Sequence, residues 1–300
     1  MGAKGGRFIW AGAPPPPGNR LWKQRLARHP GCLPLQILNT VETPAIIVAI
    51  HRINARNNGA VRFALKRDPT MKSFAALYAQ AAKRKGGTKV LEALLPTPLS
   101  KAKLAKISDD RWLSMMSKRV FQAGFNWRMV EKKWPDIEEA FAGFHPQRWK
   151  FMSDDDLDWL LRDKRIIRHA TKILAVRDNA TFLCDNATFL CDLAEEHGSA
   201  ARFFADWPAE DYAGLLLLLK KRAARLGGNS GQYFLRFMGK DSFILSRDVV
   251  AALLREGVVS TEPKSQRDLK RVQEAFNHWH QESGRSLTQI SKVLAYTVGV

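Results

Sequence analysis

The sequence lacks the marks of several large protein classes. Its three cysteines, Cys32, Cys184 and Cys191, form no CxxC pair and no Cys/His cluster at zinc-ligand spacing, so neither a disulfide scaffold nor a zinc site is expected. Such sparing use of cysteine fits a reducing compartment, and the expected location is cytoplasmic. No apolar run approaches the roughly 20 residues that a membrane helix needs. The candidates, PAIIVAI at 44–50 and the leucines at 215–219, are far too short, and no membrane partner is expected. Sustained apolar/polar alternation, the mark of a half-buried strand, is missing as well. Acidic residues are scarce, with 29 Asp and Glu against 48 Lys and Arg, a net charge of +19. An excess of that size favours a polyanionic partner.

The shortage of acid is greatest at one end. Residues 1–70 hold Glu42 and Asp68 against eleven Lys or Arg, and so carry +9 of the net charge. They include Pro14 to Pro17 in a row, no serine and no sustained helical period. A transit peptide would be basic and acid-poor but also rich in serine; a basic DNA-binding arm is the alternative. The expectation is a disordered or non-native extension over 1–70, with Met71 a plausible true start and a helical domain over 71–300.

What is present is ample material for a core: 45% hydrophobic residues, with nine Trp and sixteen Phe. The pattern from Met71 onward is helical. MKSFAALYAQAAKRK closes on Gly86-Gly87, Pro96 and Pro98 mark a loop, and Ser108-Asp109-Asp110 opens a helix through Trp112, Met116 and Val120. Gly124 interrupts it, and a further helix from Phe125 is expected to stop at Trp134-Pro135. Ser153 and its three aspartates begin another, and the tail holds two more, one capped by Ser265 and one around residues 287–296. Residues 178–184 read DNATFLC, and 185–191 repeat them letter for letter. Seven residues are nearly two helical turns, so the extra copy turns the apolar face by only about 20°. It can be absorbed as a longer helix or bulged out as a loop.

Residues 219–250 read LKKRAARLGGNSGQYFLRFMGKDSFILSRDVV. A basic helix end (Lys220, Lys221, Arg222) runs into Leu226-Gly227-Gly228, a second apolar helix follows, and Ser246-Arg247-Asp248 opens a third. The adjacent glycines permit a tight turn at positive φ and a close approach of backbone N–H groups to phosphate. The plainer reading is two core helices joined by a turn. The layout of helix, glycine hairpin, helix and a carboxylate twenty residues beyond Gly228 resembles that of helix-hairpin-helix DNA glycosylases.

RVFQAGFNWRMVEKKW at 119–134, IIRHATKI at 166–173 and LKKRAARLGG at 219–228, in that order, resemble the 3-methyladenine DNA glycosylase I family over roughly residues 112–256. The resemblance implies an all-α, helix-hairpin-helix DNA glycosylase-like fold, with a base pocket between helical lobes and the hairpin on the DNA backbone. It further implies that Trp127 is the family's pocket tryptophan and that Tyr233 stands at its tyrosine position. Gln122 and Asn126 are suited to the base edge. The pocket logic is physical, because a base must leave the stack before its sugar bond can be cut, and aromatic faces attract a cationic methylated purine. For Trp127 the plainer alternative is an ordinary core tryptophan. Arg168 and His169 lie on what the resemblance makes the DNA-facing side.

Two departures stand out. Where the family pattern carries a glutamate associated with base recognition, this chain has Arg119, and the cysteine and histidine counterparts of the family's zinc site are missing, falling near Asp248 and Ala252. A divergent branch without zinc is expected. Asp248 is the candidate catalytic carboxylate, placed to stabilise a developing sugar cation and orient water, although the FILSRDV pattern also admits Ser246 at that position. Altogether the sequence points to a monofunctional N-glycosylase that needs no cofactor and acts as a monomer on double-stranded DNA containing alkylated purines. Its rivals are a catalytically silent lesion sensor of the same fold and a helical interaction protein with no DNA role.

Overall fold

Ser73 starts the first helix of the residues that a computed structural model describes, 71–191 and 199–298. The expectations for residues 1–70 lie outside them. The Ser73 hydroxyl accepts the N–H of Ala76, and α1 (Phe74–Lys85) ends where Gly86 takes φ 89°, a left-handed C-cap open to a residue without Cβ. Then follow α2 (Thr88–Leu94), the short α3 (Lys101–Leu104) and α4 (Asp109–Gln122). No strand occurs among the described residues, and the fold is all-α.

The core is built around α4. Trp112, Leu113, Met116, Val120 and Phe121 are fully buried there, at the three- and four-residue spacing that puts side chains on neighbouring faces of a helix. Burial of each such side chain contributes about 1.5–3 kcal/mol. Around α4 pack α5 (Trp127–Ala140), α8 (Ala170–Cys191), α9 (Ala200–Asp206) and α11 (Asn229–Phe237). The Trp112 ring stacks on Phe204 at 4.5 Å and meets the edge of Phe234 at 5.7 Å.

The expected stop at Trp134-Pro135 is corrected by α5, which runs through Pro135 to Ala140. Proline within a helix costs about 3 kcal/mol. Here Trp134 on one side of it and Ile137 and Ala140 on the other are all buried. The Trp134 indole N–H is shared between Ser114 Oγ and Glu138. Packing of that face offsets the lost backbone bond.

After α6 (Pro146–Trp149), a reciprocal cap between Ser153 and Asp156 opens α7 (Asp154–Arg162). Both copies of DNATFLC then lie in α8, which continues unbroken to Cys191. From the first copy, Asn179, Ala180, Phe182, Leu183 and Cys184 are buried. The remaining helices are α10 (Tyr212–Arg222), α12 (Arg247–Arg255), α13 (Gln266–Ser283) and α14 (Leu287–Val298).

A second group forms where α14 packs on α12, α13 and α1. Asp241 caps α14 by accepting the N–H groups of Leu287 and Thr288. The buried Glu256 accepts the N–H of Lys72 and pairs with Arg255, and the Trp279 indole donates to the Lys72 carbonyl. The start of α1 is thereby tied to the helices near the other end of the chain. Between the two groups stands the hairpin, with α10 packed on α13 and α11 on α4.

Candidate functional site

The hairpin joins α10 to α11 through residues 223–228. Its left-handed positions are Arg225 (φ 59°) and Gly228 (φ 66°), not the two adjacent glycines that the sequence suggested. Gly228 has ψ −140°, in a region that glycine occupies and side-chain-bearing residues avoid. The glycine that sequence reasoning missed is Gly231. A Cβ there would lie 2.2 Å from the Leu226 carbonyl oxygen, so its absence lets the loop lie against the first turn of α11. Leu226 itself is buried and anchors the loop.

The first N–H groups of α11 have no intrahelical acceptor, and cations stand close by in the chain. Lys220, Lys221, Arg222 and Arg225 are all exposed, with Arg222 3.6 Å from Asp185 of α8. Helix-terminal amides beside cations are a ready site for an anion such as phosphate. Arg168 and His169 are likewise exposed, just ahead of α8.

The aromatic candidates do meet. Trp127, the first residue of α5, packs edge to face with Tyr233 of α11 at 5.3 Å, and Phe237 one turn on is 6.3 Å from Tyr233. Trp127 remains 44% exposed, which removes the reading of it as a core tryptophan. Phe237, at 53%, and Phe125 and Met129 are exposed too, and exposed large apolar side chains grouped in this way mark binding surfaces. Asn126 is the N-cap of α5, its Oδ1 accepting the N–H groups of Arg128 and Met129. That leaves its amide nitrogen for a ligand.

Beneath the aromatics lie Arg119 and Gln122. The Arg119 guanidinium is 4.1 Å from the Phe237 ring centre and 5.3 Å from that of Trp127. Burial lowers its pKa, and the Glu131 carboxylate acts in the opposite direction. Gln122 Nε2 donates to Glu131 Oε2 at 3.4 Å, and Lys118 pairs with Glu131 Oε1 at 2.5 Å. Lys172, four residues after Arg168, gives its ammonium to the carbonyls of Val120, Phe121 and Ala123 at 2.9, 3.0 and 2.5 Å. It closes the C-terminus of α4, where a cation is favoured. Burial, helped by the nearby charge of Arg225, pulls its pKa down to about 8.

Asp248 stands in the first turn of α12, half-buried, after Ser246, whose hydroxyl accepts the N–H of Val249 as N-cap. Ser246 is thus committed to the helix start. The Asp248 side chain makes no hydrogen bond or ion pair among the described residues, and no ring or polar contact there joins it to Trp127 or Tyr233. Its segment is fastened to the hairpin helix, however, because the buried Gln232 accepts the N–H of Leu245 at 2.6 Å. Among the described residues no three His, Cys, Asp or Glu side chains gather to hold a metal ion. No described helix is long and apolar enough to cross a membrane.

The family model of methyladenine glycosylase matches residues 104–210. DNA-3-methyladenine glycosylase 1 of Escherichia coli (strain K12) is 39% identical over 59 residues, which are 20% of this chain and 32% of that protein. The chain therefore spans about a third of the length of that curated relative. A crystal structure of 3-methyladenine DNA glycosylase I aligns with 59% of this chain and 91% of its own at 23% identity and a TM-score of 0.35. That of the Staphylococcus aureus 3-methyladenine DNA glycosylase I aligns with 58% and 87% at 19% identity and a TM-score of 0.37. The matched segment holds Arg119, Gln122, Asn126, Trp127, Arg168, His169 and Lys172, and stops short of the hairpin, Tyr233 and Asp248. The likeness to the methyladenine glycosylase family thus lies within residues 104–210.

Proposed function

We propose that the chain is a monofunctional DNA N-glycosylase that removes a damaged purine, in the manner its alkylation-repair relatives are named for, as a monomer and without a cofactor. The observation that carries this reading is that Tyr233, on the helix that begins at the hairpin, packs against the exposed Trp127 of α5. One element thereby offers amides to a phosphate and an aromatic face to an extruded base. Lys220, Lys221, Arg222, Arg168 and His169 add cations for the duplex backbone, and phosphate contacts of this kind make affinity fall steeply with salt. The base leaves the stack and rests on Trp127 and Tyr233, with Gln122 and Asn126 at its edge. The N-glycosidic bond then breaks with its electron pair passing to the base. Asp248 stabilises the sugar cation and orients the water whose oxygen bonds to C1′, leaving an abasic site. Residues 71–300 form the domain that does this, and residues 1–70 are dispensable to it.

The test is single-turnover incubation of the full chain, and of residues 71–300, with a methylated duplex, scoring released base and alkali-labile abasic sites. Both proteins should release base equally. Binding to the damaged duplex, with no base released from it or from duplexes carrying any other damaged purine, would overturn the enzymatic reading in favour of a lesion sensor. Binding indifferent to salt would remove the DNA role.

A further inference from the structure

Arg119 and Gln122 are three residues apart on α4, so their side chains leave neighbouring parts of one helix face. They are 5% and 2% exposed. Arg119 Nε and Nη1 and Gln122 Oε1 have no hydrogen-bond partner among the described residues. Buried polar atoms left in this way are strongly unfavourable unless something completes them. The nearby Glu131 does not do so, since its oxygens serve Lys118 and Gln122. Over the guanidinium lie the rings of Trp127 and Phe237, each with exposed surface.

We infer that Arg119 and Gln122 form the base-reading edge of the site, and that its substrate is an uncharged purine carrying a carbonyl oxygen beside a ring N–H. Hypoxanthine, the deamination product of adenine, is the simplest such lesion. Arg119 donates to the carbonyl oxygen, Gln122 Oε1 accepts the N–H, and the ring lies against Trp127. The inference rests on the glycosylase reading and narrows its substrate.

Charge decides between this class and a methylated cationic purine. Aromatic faces attract a cation, but here they already hold a fixed one, and a second positive charge beside a buried guanidinium is repelled with little solvent screening. A cation would also bring Arg119 no relief unless it offered an acceptor. Phosphate would answer the guanidinium but leave the rings unused and set an anion against Gln122 Oε1. Guanine presents a similar edge in undamaged DNA. It is held there in a sound base pair, whereas hypoxanthine opposite thymine is mispaired and costs less to extrude.

The experiment measures single-turnover release from duplexes carrying hypoxanthine opposite thymine or 3-methyladenine, using the full chain, Arg119→Gln and Arg119→Glu, with folding checked by circular dichroism. The parent should release hypoxanthine faster. The ratio of hypoxanthine to 3-methyladenine release should fall about tenfold in Arg119→Gln and about a hundredfold in Arg119→Glu. Faster release of 3-methyladenine by the parent, with a ratio unchanged in Arg119→Gln, would overturn the inference and leave the glycosylase reading standing. If no duplex yields base, free hypoxanthine is titrated against tryptophan fluorescence. Quenching that is lost in Arg119→Gln supports the base-reading edge although the enzymatic reading fails, and no quenching in the parent overturns it.

Discussion

Asn179 holds the backbone of Ala224 from both sides, its Nδ2 donating to the carbonyl at 3.2 Å and its Oδ1 accepting the N–H at 2.8 Å. A fully buried amide on α8 thus fastens the loop between α10 and α11. Asn179→Leu strands both groups of Ala224, at about 1–3 kcal/mol for each that stays buried. Thermal unfolding should come earlier, and affinity for any duplex should fall as the hairpin loosens. Unchanged stability would show that water replaces the amide without penalty.

Gly228→Val tests the hairpin directly. A Cβ there meets nothing within 4 Å, so the penalty is the backbone strain of φ 66° and ψ −140°, about 1–3 kcal/mol. The protein should remain folded while binding to damaged and undamaged duplex weakens alike, as read by fluorescence anisotropy. A folded variant that binds like its parent would reduce the hairpin to a structural turn.

Trp127→Ala removes a ring that packs on Tyr233 yet is 44% exposed. Stability should change little, because half of that surface already faces water. Discrimination between damaged and normal bases should be lost with the stacking surface. Discrimination that survives would move base recognition elsewhere.

Asp248→Asn keeps the size of the side chain and the Ser246 cap but removes the charge. Base release should drop at least tenfold, within the roughly 1–4 kcal/mol that such electrostatic contributions supply. Affinity for DNA should hold, since an acid near phosphate only repels it. Full activity would clear Asp248 of a catalytic role and direct attention to Glu131.

Deleting residues 185–191 shortens α8 by nearly two turns and roughly keeps its phase. Asp192 then follows Cys184, restoring an aspartate where Asp185 stood opposite Arg222. Stability should equal that of the parent or exceed it. Unfolding on deletion would mean that the second copy makes contacts of its own.

The sequence by itself determined where most helices begin and end, because those signals act within a few residues. Ser73, Ser153, Ser246 and Ser265 each cap the helix that follows, and Gly86 closes α1. The motifs around Gln122, Trp127 and Arg168-His169 were legible as a family pattern for the same reason, being short runs of fixed spacing. Tertiary structure decided what depends on distant residues. Pro135 stays helical because Trp134, Ile137 and Ala140 bury a face against the core, which outweighs its local preference. Arg225 rather than Gly227 takes the left-handed position because the loop must close between two packed helices and onto Asn179. Burial of Arg119 beneath Trp127 and Phe237, and the gathering of three carbonyls at the end of α4 on Lys172, follow from how α4, α5, α8 and α11 pack. No local pattern encodes such meetings, since each joins segments far apart in the chain.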